Sequence, residues 1–332
     1  MTPDHPKINY GKTGILIVNL GTPDSTSWSD IRKYLKEFLS DRRVIEVNPL
    51  IWQVILNLFI LTFRPSKTAK AYKEIWMNDI NMSPLRYFTE RQAEKLSNQI
   101  GKEDLIVDFA MRYGNPSIKS KIHGLQKKGC ENLIVLPLYP QYAAATTATV
   151  CDEVYRTLMK MRWQPNLKII PHYESEPLYI EAIKSSILKK ISEIGWKPDL
   201  IIASYHGIPK KYFDKGDPYH CYCHKTTRLM TEKLNKKIPI ITTFQSRFGP
   251  EEWLKPYTDK TLEKLPSEGK KKVLLICPGF SSDCVETLEE ISIEGKETFL
   301  ESGGKNFEVI SCLNDNKDHI SLFKHLIRQT IK

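Results

Sequence analysis

The chain of 332 residues has no long apolar run, no export signal and no nucleotide-binding glycine pattern. Its longest apolar stretch runs from Leu50 to Phe63 and is broken by Gln53 and Asn57. A membrane span needs about 20 consecutive apolar residues, so this stretch excludes one. The start, Met1 to Tyr10, is polar and holds Pro3, Asp4 and Pro6, without the apolar centre of a secretory signal. Neither G-x-G-x-x-G nor a P-loop follows any apolar run, which argues against a bound nucleotide. Zinc-finger spacing and aromatic RNA-binding signatures are also missing, so no nucleic-acid partner is expected. The net charge of +10 is not gathered into a basic block but spread through segments such as 67–73 and 184–190. That distribution reads as a solvated surface, and it suits an anionic lipid or a carboxylate-bearing substrate better than a polynucleotide. Without an export signal the chain is expected in the cytoplasm. Its seven cysteines then read as thiols or metal ligands, not as a disulfide framework.

What is present is an alternation. Hydrophobic residues make up 41% of the chain and charged residues 27%, the balance of a globular protein. Short runs rich in Ile, Val and Leu predict strands at 14–20, 105–111, 133–139 and 167–171, and again at 200–205, 238–244, 273–277 and 307–312. Amphipathic stretches at 91–100, 117–128, 150–161, 178–194 and 226–235 separate them. Continuous apolar strands alternating with helices predict an α/β fold with parallel sheets covered on both faces. Four strands in each half predict two similar Rossmann-like domains, 1–173 and 174–332, meeting near Tyr173 to Pro177. The last helical pattern, 320–331, is placed to fold back on the first half.

Turn-rich segments fall at the carboxyl ends of these strands: 19–23, 112–116, 139–142, 206–207, 245–250 and 278–280. Open α/β sheets bind ligands at that edge, so six such turns from both halves predict one cleft between them. His206 ends an apolar strand and is followed by Gly207 and Pro209. Imidazole is both a metal ligand and a base near neutral pH; the competing reading is a histidine bonded into a strand end. Beyond Cys277, Asp283 precedes Glu286, Glu290 and Glu294. With Asp283 as helix cap, the three glutamates at i, i+4 and i+8 share one α-helical face. An acidic first turn would explain Asp283 and Glu286 through the helix dipole, but not Glu290 and Glu294. A carboxylate row facing an imidazole can pass a divalent metal one way and protons the other. Arg64, Arg112, Tyr113, Tyr139, Tyr142, Trp253 and Phe280 form an aromatic and guanidinium set that suits a large flat ligand with acidic edges. In His220-Cys221-Tyr222-Cys223-His224, Cys221 and Cys223 are candidate zinc or iron–sulfur ligands, with Cys151 a further candidate.

The ordered segments 14–23, 83–96, 109–118, 136–149, 204–219, 244–262 and 277–294 together resemble the ferrochelatase family. The specific matches are His206-Gly207-Ile208-Pro209 with Gly216-Asp217-Pro218-Tyr219, and Gln245-Ser246-Arg247-Phe248-Gly249-Pro250 with Trp253-Leu254. The resemblance implies a chelatase-like fold with a porphyrin cleft between its halves and no nucleotide. It implies insertion of Fe²⁺ into protoporphyrin IX, the last step of protohaem synthesis, with two protons released. His206 and Glu286 would be the catalytic and metal-binding pair. Asp283, Glu290 and Glu294 would extend a metal or proton path. Leu20, Arg64, Arg112, Tyr113, Tyr139, Trp253 and Phe280 match pocket positions. The 50–63 stretch matches an apolar lip that rests on a membrane in some relatives, so peripheral contact at the inner membrane surface is a further expectation. Iron is a substrate in this scheme, and neither a required cofactor nor an obligate protein partner is implied. Animal relatives carry a [2Fe–2S] cluster on a cysteine-rich extension. Here the chain ends at Lys332 without one, which leaves Cys221 and Cys223 as the open arrangement. Cys284 stands where some relatives have histidine. A coproporphyrin ferrochelatase and a non-catalytic porphyrin or haem carrier are the alternatives; the 19–23 segment is closer to the protoporphyrin-using group.

Overall fold

A computed structural model describes residues 11–101 and 104–331. The polar start, Met1 to Tyr10, lies outside the described residues. Two four-stranded sheets are formed, with every neighbouring pair parallel. The first contains β1 (Lys12–Thr22), β2 (Leu105–Gly114), β3 (Cys130–Pro137) and β4 (Asn166–Ile169), ordered β2-β1-β3-β4. The second contains β5 (Leu200–His206), β6 (Ile240–Gln245), β7 (Lys272–Ile276) and β8 (Asn306–Ile310), ordered β6-β5-β7-β8. The two orders are the same. In each, the chain leaves the first strand to one side and returns to the other. The reversal lies beside the first and third strands, where an open α/β sheet forms its crevice.

Helices α1 (Trp28–Leu39), α2 (Pro49–Ile55), α3 (Leu61–Ile75), α4 (Pro84–Ile100), α5 (Ile118–Lys127) and α6 (Thr149–Leu158) accompany the first sheet. Helices α7 (Pro177–Glu193), α8 (Lys210–Asp214), α9 (Tyr219–Lys233), α10 (Thr258–Lys264), α11 (Lys296–Glu301) and α12 (Lys317–Ile331) accompany the second. Three π-helical segments interrupt them: π1 (Leu56–Ile60), π2 (Ala144–Ala148) and π3 (Glu286–Gly295). Such wide turns are rare and gather at functional places.

The apolar strands divide their side chains between cores. In β1, Ile15 and Ile17 join a central core while Leu16 and Val18 join an outer one, all four fully buried. In β5, Ile201, Ala203 and Tyr205 face the same central core and Leu200 and Ile202 face a third. Strands buried on both faces read as unbroken apolar runs, which is why the sequence pattern marks β1 and β5 so plainly, whereas the edge strand β4 has no buried residue. Each such side chain contributes about 1.5–3 kcal/mol of burial. The central core therefore lies between the sheets and is built from both halves. Helix α12 completes it, packing on α4 and β3 as well as on α7. Gln92 of α4 adds a polar tie, donating to the backbone carbonyls of Ser281 (3.2 Å) and Asn314 (2.9 Å) and to Ser282 Oγ (3.1 Å).

One expectation needs correction. The segments 19–23 and 112–116 are not turns at their start, because β1 and β2 stay paired to Thr22 and Gly114. Gly21 permits this: its φ is +118°, and a Cβ there would lie 1.8 Å from the Tyr113 carbonyl oxygen. The apolar run from Leu50 to Phe63 forms α2, π1 and the start of α3. Leu56 and Leu61 are buried, but Leu50, Ile51, Val54, Leu58, Phe59 and Phe63 are exposed, Leu50 to 82% and Phe63 to 72%. Among the described residues no helix is long and apolar enough to cross a membrane.

Candidate active site

Strand β5 delivers His206 to the carboxyl edge of its sheet, paired with Gln245 of β6. Its Nδ1 lies 2.6 Å from the Gly207 carbonyl oxygen. A carbonyl only accepts, so Nδ1 carries a hydrogen, and no hydrogen bond engages Nε2 among the described residues. Gly207 is required here by close approach. A Cβ would meet the Gln245 carbonyl oxygen at 2.9 Å and the Trp253 ring at 3.1 Å. Trp253 packs beside His206 with ring centroids 6.5 Å apart, and its indole N–H donates to the Phe248 carbonyl at 3.0 Å. Arg64 stands over the Phe248 ring at 5.2 Å. Glu286 is the carboxylate whose charge Arg64 feels.

The segment after β7 turns into π3. Its wide turns close with i→i+5 bonds, and Ser292 Oγ donates to the Thr287 carbonyl, five residues back, at 2.8 Å. Residues four apart fall slightly short of a π turn, as they slightly overshoot an α turn, so Glu286, Glu290 and Glu294 still share one side of the helix. Glu286 and Glu290 are half-buried, and Glu294 is exposed. The row still runs from the interior to the surface.

Strand β6 is fastened to this helix. Gln245 Nε2 donates to the Glu286 backbone carbonyl at 2.9 Å. Ser246 donates from its N–H and its Oγ to the two Glu290 carboxylate oxygens, at 2.7 and 2.5 Å. Ser246 holds a φ of +63°, a left-handed conformation uncommon for serine, which aims both donors at one carboxylate. Burial pushes the Glu290 carboxyl above its usual range, with the Glu286 charge adding to the rise; the Ser246 bonds and nearby His206 oppose it.

Asp283 does not cap the helix. It is buried and accepts at Oδ1 from the Cys312 N–H (3.0 Å) and at Oδ2 from Asn314 Nδ2 (2.6 Å). Thr287 Oγ1 also donates to Oδ1, at 3.2 Å. The carboxylate thus ties the loop after β7 to the loop after β8. Arg112 is also placed differently from the expectation that it meets an acidic ligand edge. It is buried, paired with Asp41, and its Nε donates to the Thr149 carbonyl (3.0 Å) and Oγ1 (2.7 Å). Tyr113 donates to the same Asp41 at 2.9 Å. With Arg112 neutralised inside the fold, Arg64 is the arginine of the set left near the cleft. Leu20 lines the gap between the halves together with Tyr72, Ser83, Leu85, Cys284 and Glu286. Tyr139 is buried and its hydroxyl has no partner among the described residues. Phe280 is half-buried beside Cys284, Leu85 and Met111.

The cysteines do not assemble. On α9, Cys221 and Cys223 are two residues apart, roughly 200° around a helix. Cys221 is exposed and Cys223 fully buried, while Cys151 sits on α6 with the first sheet. Among the described residues no three His, Cys, Asp or Glu side chains converge on a metal site. No chemical step is routed through a [2Fe–2S] cluster.

Sequence reasoning missed Ser246 as the partner of Glu290, although its turn had been singled out. It also missed Tyr34 and Tyr72, both buried and both within the field of Glu286. Tyr72 follows the apolar run at 50–63, and neither residue carries a motif of its own.

A family model described as Ferrochelatase matches residues 12–331. A Ferrochelatase of Allorhizobium ampelinum is 54% identical over 331 residues, covering 99% of this chain and 96% of that protein. A Ferrochelatase of Francisella tularensis subsp. novicida is 50% identical over 325 residues, covering 97% of each. Among solved structures, SirB from Bacillus subtilis with Fe³⁺ aligns with a TM-score of 0.56 at 14% identity, covering 96% of each chain. The sirohydrochlorin chelatase SirB from Bacillus subtilis subspecies spizizenii, in complex with cobalt, aligns at 0.57 and 11% identity, covering 96% of this chain and 95% of that one. Those two likenesses bear on the fold alone.

Proposed function

The chain belongs to the ferrochelatase family, and on that premise we propose that His206 and Glu286 carry out its chemistry. The enzyme inserts ferrous iron into protoporphyrin for haem synthesis; iron is a substrate, and the relatives' shared name does not favour a carrier. Free porphyrin holds two pyrrole N–H groups. For each Fe²⁺ that enters, two protons must leave, so the net charge of the macrocycle is unchanged.

In our reading the macrocycle lies in the gap between the sheets. Leu20, Tyr139, Trp253 and Phe280 supply its apolar walls, and Arg64 meets an acidic edge. Burying those faces offsets the strain of tilting the pyrrole nitrogens out of plane. His206 Nε2 takes a pyrrole proton, because its Nδ1 hydrogen is held on Gly207 and only Nε2 is open. Glu286 takes part in the second transfer. Glu290, fixed by Ser246, and exposed Glu294 extend the route to solvent. Imidazole and carboxylate oxygen suit a borderline divalent ion in transit. Asp283 serves this path by holding the loop in place rather than by binding metal, since its oxygens are already engaged.

The observation that carries the reading is the free Nε2 of His206 beside the carboxylate row. The test is anaerobic mixing of the protein with protoporphyrin and Fe²⁺, following the Soret and visible bands. His206→Ala should lose about 10²–10⁴-fold in insertion rate while its porphyrin-binding shift persists. Insertion at the normal rate by that variant would overturn the assignment.

We further propose that the exposed face of α2, π1 and α3 rests on a membrane surface. Leu50, Leu58, Phe59 and Phe63 form an apolar patch on a helical segment, the pattern of an interfacial helix rather than a spanning one. An apolar product would then leave the cleft close to lipid.

A further inference from the structure

The segment His220-Cys221-Tyr222-Cys223-His224 takes no part in the cleft chemistry. It forms the first turns of α9, where His220 and His224 lie one turn apart on the same side. Their ring centroids are 4.4 Å apart. Four other histidines have a ring nitrogen engaged with a protein oxygen: His206 with Gly207, His172 with Glu174, His319 with Asn314 and His325 with Glu176. The pair on α9 is different. Among the described residues its rings meet only other rings. His220 packs against Phe213 at 5.1 Å and stacks on Phe244 at 5.8 Å, and His224 lies 6.2 Å from Phe244. These phenyl walls fix the His220 ring without occupying a nitrogen.

We infer that His220 and His224 form a second metal site, outside the cleft, for a borderline divalent transition ion such as Zn²⁺, Ni²⁺ or Cu²⁺. Two imidazoles at i and i+4 supply two nitrogen donors, and water completes the coordination. Hard ions such as Mg²⁺ and Ca²⁺ require oxygen ligands and do not suit this pair. Cys223 is no rival ligand, being fully buried with its thiol pushed well up by burial. Cys221 is exposed and adjacent, and it is the residue that must be tested against the pair. The site is separate from the acidic row. It lies against Phe244, while the next residue of β6, Gln245, turns the other way and reaches π3.

The test uses full-length His206→Ala protein, which lacks the cleft imidazole. Zn²⁺ binding is followed by competition with a chromogenic chelator under reducing conditions. One Zn²⁺ should bind, and adding His220→Gln or His224→Gln should weaken it by at least about tenfold. Cu²⁺ bound to the same protein should show the electron-spin signature of two nitrogen ligands, lost in the double substitution. Circular dichroism confirms that the variants fold. Unchanged Zn²⁺ affinity in the double variant would overturn the inference. So would binding that survives it but disappears with Cys221→Ser. His220→Gln/His224→Gln in the otherwise native enzyme should insert iron normally, so the fate of this site is read apart from that of the cleft.

Discussion

Acid should weaken this fold through one buried imidazole. His319 of α12 is 1% exposed, donates from Nδ1 to the Asn314 carbonyl at 2.7 Å and packs on Phe323 with ring centroids 4.2 Å apart. Burial lowers its pKa from 6.5 to about 4. The unfolded chain therefore takes up a proton below pH 6.5 that the folded chain refuses until about pH 4. Stability is fully present above pH 6.5 and is lost as pH falls through that window. A separation of 2.5 units corresponds to about 3 kcal/mol in full, of which about 2 kcal/mol is already lost at pH 5. His319→Gln keeps an amide donor for Asn314 but cannot titrate. Urea unfolding of both proteins at pH 7.5 and pH 5 separates the effect from the other acids, which titrate alike in each. The wild type should lead at pH 7.5 by a hydrogen bond and some packing, about 1–3 kcal/mol, and that lead should shrink by about 2 kcal/mol at pH 5. A lead that does not change between the two pH values would refute the reasoning. The loss would reach the candidate active site too, because Asn314 also holds Asp283.

Ser246→Gly keeps the left-handed backbone and the N–H bond to Glu290 but deletes the Oγ bond. That bond lowers the Glu290 pKa, so its loss should raise the pKa further and move the acid limb of the kcat profile to higher pH. KM for porphyrin should change little; an unmoved acid limb would remove Ser246 from the path. Leu50→Glu/Leu58→Glu should lower binding to anionic phospholipid vesicles by roughly a hundredfold in co-sedimentation, since each side chain contributes about 1.5–3 kcal/mol on leaving water. Insertion in detergent should persist. Vesicle binding equal to wild type would show that the apolar face does not meet lipid.

The strands were legible because burial on both faces leaves an unbroken apolar run, as in Ile15-Leu16-Ile17-Val18. Their carboxyl ends then located the cleft without knowledge of the sheet order. Helix α1 was not among the stretches read as helical, although Ile31, Tyr34, Leu35 and Leu39 follow a helical period with charges between them. The acidic row was legible from its spacing of four, which keeps one side in an ordinary helix and in π3 alike, but nothing local announces the wider turns of π3. Arg112 shows the same limit from another side. An arginine beside a tyrosine at a strand end reads as a ligand contact, and only the arrival of Asp41 from the end of α1 shows that its charge is already matched. The serine that holds Glu290 depends on a backbone angle, which no residue type states.

The central core, drawn from both sheets and closed by α12, binds the fate of the two halves together. A small substitution at Leu326 or Ile187, remote from any porphyrin atom, removes packing that the strand carrying His206 also uses. Such lesions should reach a cell as scarcity rather than slowness: fewer intact molecules, each turning over at its ordinary pace. Inherited weakness of this enzyme would then often be a matter of dosage, and anything that steadies the fold, bound porphyrin included, would restore part of it.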